Sequence, residues 1–177
     1  LRSNGKTQVK IRIPYWLENV QVSIDGEVAP KEIVDGYITV ALNEEETVIS
    51  ITYDQSVLTW QSHPSVKSSY GKVAFQYEPF IYAAEEVDNG KKLHELTVVG
   101  KAEPKKMTSP AIGSITALHV PAYRIDHQNQ TDLYQLFQPL EYEKATVCLI
   151  PYYSWANRDT GEMRVWLNQN FEKGVGQ

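Results

Sequence analysis

The chain contains a single cysteine, Cys148, which excludes an internal disulfide and any zinc site built from several thiolates. Its neighbours Val147, Leu149 and Ile150 predict a buried strand, in which a free thiol behaves as a small apolar side chain. No window approaches the roughly 20 consecutive apolar residues that span a bilayer, so no membrane partner is expected. The opening LRSNGKTQVK lacks the apolar core of a signal peptide, and Leu1 in place of Met suggests a piece of a longer protein, which leaves the compartment open. A basic patch is missing as well. The formal net charge is -5, and the only lysine cluster, Lys101 with Lys105 and Lys106, is diluted by Glu103 and broken by Pro104. That is the pattern of a solvated loop and not of a phosphate-binding surface, so nucleic acid is not an expected partner. Confident helical periodicity, internal repeats and low-complexity tracts are absent too.

What is present reads as strand. The longest such stretch, KVAFQYEPFIYAAEEVDN from Lys72 to Asn89, alternates Val73, Phe75 and Tyr77 with Ala74 and Gln76. Pro79 interrupts it, Phe80 to Tyr82 resume it, and Glu85, Glu86 and Asp88 end it. Toward the N-terminus, QVKIRI places Val9, Ile11 and Ile13 on one face, and Val20, Val22 and Ile24 lead into an Asp25-Gly26 turn. A second turn at Asp35-Gly36 predicts a hairpin within Ile33 to Leu42, with Tyr37, Thr39 and Ala41 opposite Ile38, Val40 and Leu42, and TVISITY from Thr47 adds a fourth strand. Further strands are expected at Leu93 to Val99, at Ile115 to Tyr123 with a break at Pro121, and at the edge from Tyr134 to Leu140. The last two are a central strand from Thr146 and MRVWL from Met163. Gly100 to Gly113, with Pro104 and Pro110, is the most linker-like region. The expectation is an all-β fold, an antiparallel β-sandwich of jelly-roll type, in one or two small sandwich domains without substantial helix. The division is drawn as 1–90 and 91–177, with the last strands, 146–167, returning to the first domain.

Few residues announce chemistry. Glu85, Glu86 and Asp88 offer the carboxylates a glycosidase needs, one as acid and one as base or nucleophile. Adjacent residues of a strand point to opposite faces, however, so Glu85 and Glu86 cannot address one bond. His63, His94, His119 and His127 are scattered without metal-ligand spacing, and no G-x-S-x-G elbow is present. No catalytic residue and no metal ligand is therefore assigned. Trp60 and Trp155 are the candidate carbohydrate-stacking residues, with Trp166, Tyr152 and Tyr153 as further members of such a platform.

Five blocks taken together resemble a known family: RIPYW at Arg12–Trp16, DGY at Asp35–Tyr37, HPSV at His63–Val66, the Lys72–Asn89 stretch, and LIPYYSWANRDTGEMRVWL at Leu149–Leu167. They resemble, in order, the C-terminal portion of glycoside hydrolase family 127, the bacterial β-L-arabinofuranosidases once known as a domain of unknown function. The chain departs from that pattern at Glu78-Pro79, where the family has Gly-Pro, and at Tyr82-Ala83, where it has Tyr-Cys. The resemblance implies an (α/α)6 barrel followed by β-sandwich domains, with a cysteine nucleophile on a zinc held by cysteines and a glutamate. None of those catalytic residues maps onto a position here. The expectation is thus the sandwich portion of such a plant-glycan-degrading enzyme. It carries no cofactor of its own, zinc belonging to the missing barrel, and its candidate partners are that barrel, a second copy and carbohydrate. The alternatives are a free-standing carbohydrate-binding module and a complete small hydrolase using Glu85 or Asp88.

Overall fold

The computed structural model describes residues 7–29, 32–42, 47–126 and 132–170. The chain forms two compact units, Leu1–Ser56 and Val57–Gln177.

In the first unit, β1 (Thr7–Arg12) pairs antiparallel with β4 (Tyr37–Leu42), while β2 (Glu18–Ile24) lies between β3 (Glu27–Val28) and β5 (Ile49–Asp54). These two small sheets share one core. Ile13, Val20, Val22, Ile38, Val40 and Leu42 are buried in it, with Val9, Ile11, Ile24, Ile49 and Ile51 packed against them. Strand β4 shows why the residue pattern suffices: Ile38, Val40 and Leu42 are buried and Tyr37, Thr39 and Ala41 exposed, as period-2 alternation on a half-solvated sheet requires. Asp25-Gly26 and Asp35-Gly36 both carry positive φ at each residue, the geometry of a tight primed turn that Asp and Gly tolerate. The expected hairpin at Asp35-Gly36 shrinks to a single bridge, Val34 to Tyr37, because β4 spends its ladder on β1, with Thr7 opposite Leu42.

The second unit runs β6 (Val57–Gln61), β7 (Lys72–Tyr77), β8 (Phe80–Glu85), a four-residue helix α1 (Glu86–Asn89), a 3-10 turn at Leu93–Glu95, and β9 (Leu96–Val98). It continues with β10 (Glu103–Ser109), β11 (Gly113–Asp126), β12 (Glu141–Pro151), a 3-10 turn at Tyr152–Ser154, β13 (Met163–Arg164) and β14 (Leu167–Gln169). The strands form one sheet in the order β13-β8-β12-β11-β9-β14-β7-β6, with β10 attached to β11. A further pairing of β7 with β8 joins the sheet to itself, so β8, β12, β11, β9, β14 and β7 make a closed circuit. Closure removes edges from those six strands. All pairings in it are antiparallel except β14 with β9. Inside lie Val73, Phe75, Tyr82, Leu96, Leu118, Val120, Val147, Leu149 and Leu167. The buried Tyr82 satisfies its hydroxyl by donating to the Thr116 carbonyl at 2.9 Å.

Several expectations change in detail. The drawn boundary at 90 does not coincide with the division after Ser56, because β8 is paired with β12 and β13, and β7 with β14. The supposed linker from Gly100 contains β10, whose exposed lysines and Pro104 suit a strand that has a partner on one side only. Pro121 does not break β11. It sits where the neighbour changes: β10 pairs as far as His119 and β9 begins at Ala122, so the missing N–H falls between two ladders. The same crossing explains Gly100, where a Cβ would stand 3.0 Å from the Pro121 ring. MRVWL divides between β13 on β8 and β14 on β7. Tyr134 to Leu140 is not a strand: Pro139 removes a donor, and the segment has no ladder partner among the described residues.

Candidate functional site

Strand β8 delivers Glu85 to its last position, and α1 begins at once, placing Asp88 one turn further on the same side. Both carboxylates meet Arg158, which arrives on the loop between the Tyr152–Ser154 turn and β13. Arg158 donates from Nε to Glu85 Oε2 at 3.2 Å, from Nη1 to Asp88 Oδ1 at 2.8 Å, and from Nη2 to both Glu85 Oε2 and Asp88 Oδ2. The remaining oxygen of Glu85 accepts the Ala156 backbone N–H at 2.9 Å. Glu85 is 3% exposed, so this is a desolvated charge cluster held by a planar guanidinium fork. Hydrogen bonding to Asp88 is the largest influence on Arg158 and raises its pKa further above neutrality, so its charge is permanent.

The loop is stitched down beyond the ion pairs. Glu162 N–H donates to Glu86 Oε2 at 2.9 Å, Glu86 N–H donates to the Glu162 carbonyl at 2.9 Å, and Leu93 N–H donates to Glu162 Oε2 at 3.0 Å. A Cβ at Gly161 would lie 2.8 Å from that of Glu86, so only glycine allows the approach. Asn89 ties α1 to β12. Its Nδ2 donates to the Glu85 and Cys148 carbonyls, each at 2.8 Å, and its Oδ1 accepts the Cys148 N–H at 2.8 Å. Burial first, then the Asp88 charge, pushes the Cys148 thiol up to about 11 against an opposing pull from Arg158. At neutral pH it is a thiol and not a nucleophilic thiolate.

Chemically the arrangement is saturated. A general acid or base must reach a substrate proton, and a glycosidase pair must leave room for a sugar between its carboxyls. Here both carboxylates grip one arginine. Glu86 lies in α1 and not on the strand, and its carboxylate accepts the Glu162 N–H while that of Glu85 meets Arg158. Among the described residues no group of three or more His, Cys, Asp and Glu side chains converges as a metal ion demands. The described residues therefore do not fit a zinc of the kind that the resemblance places in the barrel. His63 accepts the Ser65 N–H at Nδ1, His94 and His119 lie on separate elements, and His127 falls outside the described residues.

The aromatic candidates fare differently. Trp155 is 39% exposed and packs on Tyr152 with ring centroids 6.0 Å apart, beside a shallow cavity of about 530 Å³ lined by Trp155 to Gly161. Tyr153 meets Phe80 edge-on at 4.9 Å, a second partly exposed aromatic pair. Trp60, on β6, donates its indole N–H to Gln76 at 2.9 Å, and it is not among the residues that line the cavity beside Trp155. Trp166 is half-buried against a separate cavity with Lys72 and Arg164. Sequence reasoning missed Arg158, Asn89 and Phe80. The only signal for Arg158 was its position in the polar Asn157–Gly161 turn, where a buried cation is not expected.

With this geometry in view, residues 57–168 match the glycoside hydrolase family 127 C-terminal domain and residues 1–54 match the GH127 middle domain of β-L-arabinofuranosidases. This chain belongs to glycoside hydrolase family 127. The two GH127 matches meet at the same place as the two compact units. The chain is 33% identical over 173 residues to the non-reducing end β-L-arabinofuranosidase of Bifidobacterium longum subsp. longum, covering 93% of this chain and 26% of that protein. The crystal structure of a GH127 β-L-arabinofuranosidase from Geobacillus stearothermophilus T6 superposes with a TM-score of 0.81 at 30% identity, over 94% of this chain and 27% of that one. A second GH127 β-arabinofuranosidase structure gives 0.79 at 25% identity, over 96% and 28%. This GH127 chain thus spans about a quarter of the length of the relatives it matches.

Proposed function

We propose that this chain is a non-catalytic β module of a β-L-arabinofuranosidase-like glycoside hydrolase, one that supports a catalytic (α/α)6 barrel or a dimer interface. The observation that carries the reading is the Glu85–Arg158–Asp88 cluster: the best-placed carboxylates of the chain are consumed in holding a loop. The chain's share of its relatives' length, 26 to 28%, supports it by leaving room for a catalytic portion elsewhere. Zinc, on this reading, belongs to that portion. The test is hydrolysis of an aryl β-L-arabinofuranoside by this chain and by a full-length protein containing it, with zinc measured on both. Activity and zinc confined to the full-length protein are the expected result. Activity in the chain alone overturns the reading and returns attention to Glu85 and Asp88.

The exposed rings of Tyr152, Tyr153 and Trp155 favour a second reading, a carbohydrate-binding module. It requires that plant arabino-oligosaccharides bind this chain and that Trp155→Ala abolish binding. A glycan array without a signal removes it.

A further inference from the structure

The β11–β12 hairpin ends in a feature that no internal contact explains. Beyond its last paired residues, Asp126 and Glu141, the described part of the connection carries Leu133, Tyr134, Leu136 and Phe137. These four are 97, 95, 90 and 92% exposed, whereas the other large apolar side chains among the described residues reach at most 78%. Single exposed apolar residues need no explanation; four within five positions, all nearly free of contact, form a patch of the kind that marks an interaction site. An aromatic side chain buries about 150–250 Å², so Tyr134 and Phe137 alone offer roughly half of the ~800 Å² that each partner contributes to a stable interface. Leu133, Leu136 and the partly exposed Leu140 and Tyr142 add to it.

The surroundings indicate what covers it. Among the described residues that flank the patch in sequence, Asp132, Glu141 and Glu143 are exposed carboxylates and Lys144 is the exposed cation. Arg124, opposite Glu143 in the ladder, is already engaged with the Asn89 and Lys91 carbonyls and with Glu95. Two such tips face to face would oppose carboxylates, which argues against self-pairing of the patch. The family supplies another occupant, since its members carry roughly three-quarters of their length outside the region matched by this chain. We propose that residues 132–140 are the docking tip of this module. Leu133, Tyr134, Leu136 and Phe137 enter an apolar groove, rimmed by Lys or Arg, on the remainder of the full-length polypeptide. The proposal rests on the accessory-module reading above.

Hydroxyl-radical footprinting, reading side-chain oxidation of Tyr134 and Phe137, tests it in this chain and in the full-length protein. The expected result is at least a fivefold slower oxidation of both rings in the full-length protein, relieved by the double substitution Leu133→Ser, Leu136→Ser. Equal oxidation in the two proteins overturns the proposal, and this comparison needs no variant to fold. Protection that develops in the isolated chain as its concentration rises also overturns it, assigning the patch to a second copy. If the full-length protein hydrolyses the arabinofuranoside, the chain does not, and the rings stay exposed, docking by this tip fails while the accessory reading stands. Hydrolysis by the chain alone removes the accessory reading itself.

Discussion

The two ends of the β11–β12 hairpin treat their side chains in opposite ways. At one end, Cys148 and Leu149 lie beside β8 and α1, where Glu85, Asp88, Asn89 and Arg158 use their polar atoms on one another and on nearby backbone. At the other, from Glu141 outward, Leu133, Tyr134, Leu136 and Phe137 stand in solvent. Strand β12 separates the two by roughly 27 Å, at ~3.4 Å per residue from Leu149 to Glu141. The residues that look most like chemistry have become structure, and the residues that look most like core have no core to enter. Titratable type is thus a poor guide to function here, and unsatisfied surface a better one.

The largest effect is expected where the sealed end is opened. Arg158→Ala leaves two carboxylates with side-chain exposures of 5% and 12% without their cation, a loss on the order of 3–5 kcal/mol. Urea unfolding of the variant checks it. A change under 1 kcal/mol would mean that the cluster is solvated and that the contrast between the two ends is false. Asn89→Ala comes next: it deprives the Cys148 N–H and two carbonyls of their partner, at a cost of about 2 kcal/mol.

Much of this architecture was legible in the residues, for a local reason. Alternation in QVKIRI and YITVAL fixes which face is buried, and Asp-Gly dipeptides fix where the chain turns, so strand positions in the first unit follow from neighbours in sequence. What could not be read depends on partners far along the chain. Pro121 looked like a break until β9 and β10 were seen to meet there, and Gly100 to Gly113 looked like a linker because an edge strand with lysines has loop-like composition. Arg158 has no signature beyond its place in a polar turn, since its partners lie about 70 residues earlier. Trp60 and Trp155 are both partly exposed, as stacking residues would be, and each has a partner of its own, Gln76 and Tyr152. The tip read as an edge strand because its apolar residues suit β structure, and nothing local says that a ladder partner is absent.

The Cys148 thiol offers a gentler probe of the sealed end. A neutral thiol retained up to about 11 in the fold, against about 8.5 for a free thiol, favours the folded state fully below the unfolded pKa. That contribution disappears as pH rises through the folded value. Stability should therefore fall between pH ~9 and ~11 by at most about 2 kcal/mol, and Cys148→Ala should flatten the slope in denaturant titrations at the two ends of that window. The β7–β8 turn supplies a control with the opposite sign. Glu78 holds φ 55, a conformation that costs a side-chain-bearing residue about 1 kcal/mol. Glu78→Gly should raise stability by about that amount without affecting either end of the hairpin.

The smallest expected effect carries the comparison furthest. In the isolated chain, Leu136→Ser with Phe137→Ser removes two large apolar side chains that touch almost nothing, since both are at least 90% exposed. Large-to-small substitutions in a core cost several kcal/mol because burial is lost and a cavity is left; neither applies here, so the change should stay within about 0.5 kcal/mol. Sedimentation velocity and urea unfolding of both proteins measure it. A loss of 2 kcal/mol or more would show that the tip folds back onto the module and that its side chains are already spent. An unchanged midpoint, with lower non-specific association, would leave the tip as surface that folding of this chain does not need.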